Sequence, residues 1–263
     1  LQSSPLLIGC DLSRRIFQHI YRRPVESLDI CPQNLAPKDG VPTIVKCCKV
    51  KEGSTVEGNV ASVPWGATMM DVVKALQALW PEVHERYATD PRRIYAAGFS
   101  GTGMVAWDLG RVTGRLAGVI ASGSRWEDDQ FGRRIAFPCF GAAGDADFNY
   151  APMKKVHARL REWGTPERFE VFEGPHTWMP AALAGDAIAW LELQAMKAGL
   201  RPTDQALVAA RLAEDTRRAQ ALEADGRPLA AEHRFEAIAA TFDGLADVSE
   251  ARKEAARLAG LPS

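Results

Sequence analysis

The run Arg92-Arg93-Ile94-Tyr95-Ala96-Ala97-Gly98-Phe99-Ser100-Gly101-Thr102-Gly103 constrains the fold of this chain more than any other part of it. A short apolar strand, residues 94–97, passes through Gly-x-Ser-Gly-x-Gly into a helix-forming stretch that starts near Met104. A strand that turns at once into a helix is half of a βαβ unit, and so predicts a parallel sheet. The sharpness of the turn pushes the serine hydroxyl out of the fold, and the flanking glycines remove side chains that would collide there. The Gly101 N–H then lies at a helix N-terminus, where it can donate to a developing oxyanion. Taken alone, a Gly-x-Ser triplet reads as an ordinary Gly-rich strand–helix connection. The residues downstream separate the two readings.

A second apolar stretch, residues 135–143, ends in Gly144-Asp145-Ala146-Asp147, and a third, residues 168–173, ends in Gly174-Pro175-His176-Thr177-Trp178. Serine, acid and histidine therefore follow one another, each on the loop leaving a strand. A serine hydroxyl is a weak nucleophile at neutral pH and needs an imidazole within hydrogen-bond reach. The imidazole in turn needs a carboxylate to fix its tautomer and stabilise its charged form. Ser100, Asp147 and His176 are the candidate residues, with Asp145 as the alternative acid. In a parallel sheet all three fall at the carboxyl ends of the strands, where such sheets carry their sites.

On these residues, from about Trp65 to Leu193, the chain resembles the α/β-hydrolase superfamily. It is most similar to the branch of polyhydroxybutyrate depolymerase-like, feruloyl esterase-like and dienelactone hydrolase-like esterases. The pieces that carry the resemblance are Asp90-Pro91-Arg92-Arg93-Ile94-Tyr95 leading into Gly98-Phe99-Ser100-Gly101, then Gly144-Asp145-Ala146-Asp147-Phe148-Asn149-Tyr150, then Gly174-Pro175-His176-Thr177-Trp178. The resemblance implies Ser100 as nucleophile, His176 as base, and Asp147 as acid, because the family places its acid three residues after a strand-ending glycine. It implies an α/β-hydrolase fold, a carboxylic ester as substrate (small or polymeric), an acyl-enzyme, and neither cofactor nor metal. The chain departs from the pattern at Thr102, where the family commonly has glycine; a β-branched residue in that slot adds volume and stiffness. The family's second oxyanion donor usually comes from a Gly-rich loop after an early strand. Only Gly9-Cys10 and Gly66-Ala67 are candidates for it here. A peptidase on the same fold, and an inactive hydrolase-like scaffold that binds a partner through its last helices, are the alternatives.

Other features bound the organisation. A formal net charge of −1 gives no electrostatic reason to expect nucleic acid or an anionic membrane. No apolar run approaches the roughly 18 to 20 residues that span a bilayer, so the chain reads as soluble, in a compartment the sequence does not specify. It starts at Leu1, which reads as a trimmed or incomplete start. The five cysteines show no metal-ligand spacing; one disulfide is conceivable, while adjacent Cys47 and Cys48 read as reduced strand residues. The first 60 residues contain a single alanine, Ala36, and four of the five cysteines, and read as divergent or damaged within a hydrolase domain spanning 1–200. Residues 4–9 and 41–50 suggest strands, and 11–23 a helix. An amphipathic helix is expected through Met69, Val72, Val73, Leu76, Leu79 and Trp80. Another helix is expected over 153–163.

Past Leu200 the alternation of strands and helices stops. Helical runs are expected at 204–225, 229–242 and 248–258, behind a hinge at Arg201-Pro202-Thr203, with Asp204 as N-cap. Gly226, Ala231, Phe235 and Ile238 have the offsets of a tetratricopeptide-like helical hairpin, so residues 204–263 read as an all-α appendage, a candidate protein-contact surface. Phe99 and Trp178 are candidate pocket residues, Trp178 equally a core residue, and Trp126 and Phe131 candidate lid contacts. Asn149 and Tyr150 read as turn and cap, and His19, His84, His157 and His233 as solvated side chains.

Overall fold

The structure, a computed structural model, describes residues 89–126 and 134–261 together with three strands near the start of the chain. The helix expected at 11–23, that expected between Trp65 and Tyr87, Gly66-Ala67, His19, His84 and Phe131 lie outside the described residues.

The strands are β1 (Ser4–Cys10), β2 (Ser27–Leu28), β3 (Thr43–Cys47), β4 (Thr89–Phe99), β5 (Gly118–Ser122), β6 (Cys139–Gly144) and β7 (Glu167–Phe172). They form one sheet in the order β2-β3-β1-β4-β5-β6-β7, and every pairing is parallel. Among the described residues the helices are α1 (Gly101–Thr113), α2 (Tyr150–Glu162), α3 (Ala181–Lys197), α4 (Gln205–Ala224), α5 (Pro228–Phe242) and α6 (Ser249–Ala259). The chain has an α/β fold, a parallel sheet with intervening helices, followed by an all-α C-terminal part. From β4 onwards successive strands are neighbours, so the loops leaving β4, β5, β6 and β7 line up along one edge.

Helix α1 crosses from β4 to β5 and α2 from β6 to β7. Ala96, Val119, Ala121 and Cys139 of the strands pack with Ala106, Trp107 and Leu109 of α1 and with Val156 and Leu160 of α2 in one cluster. Side chains alternate along a strand, so Tyr95, Ala97, Ile120 and Phe140 point to the other face, and they too are buried. A sheet covered on both sides needs continuously apolar strands, and β5 and β6 are buried at every residue. Trp126 belongs to this cluster: it is buried and stacks on Trp107, with ring centroids 5.7 Å apart and planes 4° from parallel. It is a core residue and not a lid contact. At the amino end of β4, Asp90 accepts from the Arg92 N–H and from Nε of Arg92 and Arg93, a structural clamp far from the carboxyl edge.

His157 is also internal. It is 2% exposed on α2, where its Nδ1 lies 2.9 Å from Glu167 Oε2 on β7, while Phe169 stacks on its ring. The charged neighbours of His157 in sequence suggested a solvated face; the Glu167 carboxylate meets the buried ring instead. His233 is exposed, as expected.

The chain divides into two compact units, Leu1–Ala187 and Ile188–Ser263. The division falls inside α3, ahead of the hinge expected at Arg201, because Leu193 and Met196 share a core with the helices that follow. Arg201 is held by an ion pair to Glu192 and lies 3.6 Å from Asp204. Asp204 caps α4, its side chain accepting from the Leu207 N–H at 3.0 Å. In this second unit Gly226 takes φ +73 between α4 and α5, and Ala231, Phe235 and Ile238 are buried in the helical core.

Candidate active site

Ser100 follows β4 and is the N-cap residue of α1, with φ 52 and ψ −127. It is the sole non-glycine with positive φ among the described residues. A conformation of this kind costs on the order of 1–3 kcal/mol and persists only where its surroundings enforce it. The Ser100 N–H donates to Ser122 O at 2.9 Å, and Ser100 O accepts from the Gly103 and Met104 N–H groups. The Thr102 hydroxyl donates to Phe99 O at 2.7 Å and accepts from the Phe99 N–H at 3.0 Å. Thr102 was expected to crowd the turn. It instead staples it, because the close approaches fall on the neighbouring glycines. A Cβ on Gly98 would lie 2.2 Å from Thr102 O, and one on Gly103 2.4 Å from Ser124 Cβ, whereas one on Gly101 would meet nothing within 4 Å. Gly101 is the first residue of α1, so its N–H is among those an α-helix leaves without an intrahelical acceptor.

His176, on the loop after β7, reaches both partners. Its Nε2 is 2.9 Å from Ser100 Oγ and its Nδ1 is 2.9 Å from Asp147 Oδ1. A carboxylate oxygen only accepts, so Nδ1 carries the hydrogen and Nε2 is left to accept from the serine hydroxyl. The Asp147 side chain is fully buried and that of His176 partly so. Asp147 Oδ1 also accepts from the Asn149 N–H at 2.7 Å. Asp145 accepts from the Gly174 N–H at 2.9 Å, which ties the loop carrying Asp147 to the loop carrying His176. The same two loops touch where a Cβ on Gly144 would lie 2.1 Å from Gly174 O.

The residues Ser122 and Gly123, at the end of β5, hold the three loops together. Ser122 O receives the elbow's N–H, Ser122 Oγ accepts from the Met179 N–H at 2.9 Å, and Gly123 O accepts from Asn149 Nδ2 at 2.8 Å. Asn149 was expected to cap α2, but its amide makes no cap and reaches across to β5. Gly123 takes φ +52, and a Cβ there would lie 2.8 Å from Asp147 Oδ2, 2.9 Å from the Phe99 ring and 3.1 Å from His176 Nδ1. Only glycine leaves room for the acid and the imidazole to meet. A Ser-Gly pair ending an apolar strand is the only local sequence signal of this junction.

Aromatic rings surround the imidazole. The Phe99 ring centroid lies 4.7 Å and that of Phe148 4.3 Å from His176, and Trp178 packs against Phe99 at 5.7 Å. Trp178 is partly buried. Phe148, which sequence reading passed over, is 72% exposed. Among the described residues no three or more His, Cys, Asp or Glu side chains are grouped to hold a metal ion, and no helix is long and apolar enough to cross a membrane. Cys139 is a free thiol in the core, and burial pushes it well above the usual cysteine range, with the Glu167 charge adding to the shift.

Residues 1–82 match the model of a family of unknown function (DUF7714). No curated protein matches the chain by sequence. Among solved structures, the chain is similar to esterase PE8 at 14% identity and a TM-score of 0.46, over 71% of this chain and 92% of that one. It is similar to a ferulic acid esterase at 14% identity and a TM-score of 0.46, over 71% and 82% of the two chains. It is also similar to a sugar hydrolase (YeeB) from Lactococcus lactis at 16% identity and a TM-score of 0.47, over 75% and 92%.

Proposed function

We propose that this protein is a serine hydrolase that cleaves a carboxylic ester through an acyl-enzyme. The observation that carries the reading is a single imidazole with Ser100 Oγ at 2.9 Å on one nitrogen and Asp147 Oδ1 at 2.9 Å on the other. The strained elbow at Ser100 supports it further, since such strain clusters where a side chain must be presented to a ligand.

In this mechanism Ser100 Oγ attacks the ester carbonyl carbon while His176 Nε2 takes the hydroxyl proton. Asp147 holds the ring in the required tautomer and stabilises the imidazolium. The Gly101 N–H donates to the tetrahedral oxyanion; one such donor is worth about 3 kcal/mol. The carbon–oxygen bond to the alcohol breaks as Nε2 returns the proton to the leaving oxygen. Water, deprotonated by His176, then attacks the acyl carbonyl and releases Ser100. For the second donor the strand order favours Gly9-Cys10, since β1 lies beside β4 with Gly9 level with Ala97. We read the second unit as a tetratricopeptide-like appendage and a protein-contact surface, on the burial of Ala231, Phe235 and Ile238 at that motif's offsets.

A fluorophosphonate probe and p-nitrophenyl acetate test the reading. The parent should be labelled and should hydrolyse the ester, while Ser100→Ala should fold with an unchanged circular dichroism spectrum and do neither. Folded parent protein that takes no probe would refute it.

A further inference from the structure

Phe148 is an anomaly for packing alone. It follows the acid directly, its ring rests 4.3 Å from the His176 ring centroid, and it is still 72% exposed. Among the described residues the other large exposed apolar side chains, Val112, Val171, Leu229 and Leu261, lie on separate elements and need no explanation. Phe148 is the one that lies against the candidate base. Its loop is also held firmly: the Asp147 N–H donates to Gly144 O, the Asn149 N–H to Asp147 Oδ1, and Asn149 Nδ2 to Gly123 O. The ring is therefore presented by a fixed backbone, with bonds made by the residues on both sides of it.

What Phe148 can touch rests on the serine-hydrolase reading above and follows from the chemistry of acylation. During acylation the leaving oxygen must come within hydrogen-bond reach of His176 Nε2, the atom that returns the proton to it. The alcohol half of the ester is thereby the part of the substrate brought closest to the imidazole. Phe99 also touches that imidazole but is partly buried and engaged by Trp178, which leaves Phe148, among the described residues, as the accessible aromatic surface beside it. We infer that Phe148 receives the alcohol half of the substrate, and that the site prefers esters whose alcohol is flat and apolar, an aryl or similarly planar group. Aromatic faces pair favourably in offset or tilted arrangements, and an exposed ring gains by being covered.

Acetate esters sharing one acyl group and differing in the alcohol test this, with the full chain and its Phe148→Ala and Phe148→Tyr variants. Comparing variant with parent on each ester cancels the intrinsic reactivity of the leaving group. Phe148→Ala should lower kcat/KM roughly tenfold on 2-naphthyl acetate, the range in which apolar pockets discriminate, and clearly less on methyl acetate. Phe148→Tyr should restore most of the loss. The loss should fall on acylation and not on hydrolysis of the shared acetyl-enzyme, measured from burst kinetics, because the alcohol has left by then. Equal losses on both esters, a slowed deacylation step or no loss at all would each overturn the inference, the first two by showing that the ring merely positions His176. Fluorophosphonate labelling separates the two levels: an unlabelled folded parent removes the hydrolase reading and this inference with it. A labelled parent with no alcohol discrimination removes the inference alone.

Discussion

Two carboxylates two residues apart do different work because their side chains leave the loop in different directions. Asp147 meets the imidazole, and Asp145 meets the backbone of the loop that carries it. On the proposed mechanism Asp147→Asn should keep the fold and lower kcat on p-nitrophenyl acetate by roughly ten-thousand-fold, since a neutral amide lets His176 take the wrong tautomer. Asp145→Ala removes one exposed hydrogen bond and should cost far less in kcat. A matched pair of progress curves with equal amounts of folded enzyme measures the contrast; comparable losses would put Asp145 in the proton-transfer chain. The preference for Asp147 comes from the family resemblance, which places the acid three residues after a strand-ending glycine. The positive φ at Gly123, the cross-loop amide of Asn149 and the exposure of Phe148 beside His176 are not legible in the sequence, because each involves residues that are distant in the chain.

At the scale of elements, β7 is one edge of the sheet among the described strands, and its first residue is anchored to α2 by charge. Glu167 accepts from Arg161 Nε at 2.9 Å and pairs with His157 at 2.9 Å. Burial pushes the Glu167 carboxyl up, but the hydrogen bond from His157 and the charges of His157 and Arg161 outweigh it, so the group sits below the usual glutamate value of 4.5. A folded-state value below the unfolded one stabilises the protein above about that unfolded value, and the contribution fades as pH falls through the folded one. Stability measured by urea midpoint should therefore drop between roughly pH 5 and pH 3, and Glu167→Gln should be less stable at pH 7 and show a shallower acid limb. An unchanged acid limb in the variant would remove Glu167 from the cause. Sequence reading found these elements because each apolar strand ends in glycine-rich turn signals. It misjudged His157, since helical spacing does not reveal which face of α2 meets β7.

At the scale of the molecule, the two compact units have separate hydrophobic clusters. Phe235 is buried in the helical unit, in the cluster containing Ile238, Phe242 and Val208. Phe235→Ala should destabilise that unit by about 3–5 kcal/mol through cavity formation. Ser100 and every residue that positions it lie in the first unit, so fluorophosphonate labelling at 25 °C should persist. Thermal melts followed by circular dichroism, with labelling sampled along the ramp, measure both. Loss of labelling in step with loss of helix would show that the site depends on the second unit.

The sequence by itself determined the α/β class, the strand-to-helix elbow at Ser100, and the order in which serine, acid and histidine leave their strands. These are local: an apolar run, a turn chemistry and a helical period are each written in fewer than about twenty consecutive residues. It also marked the helical run after Leu200, because the change from alternating elements to continuous alanine-rich helices is a change of pattern along the chain. Only the tertiary structure decided that the compact division falls within α3, that Ser122 and Gly123 join three loops, that Thr102 staples the elbow, and that Phe148 lies against His176. Those features depend on which strands become neighbours and on gaps of a few ångströms between them. A parallel sheet sets such distances through crossovers that bring sequence-distant residues side by side.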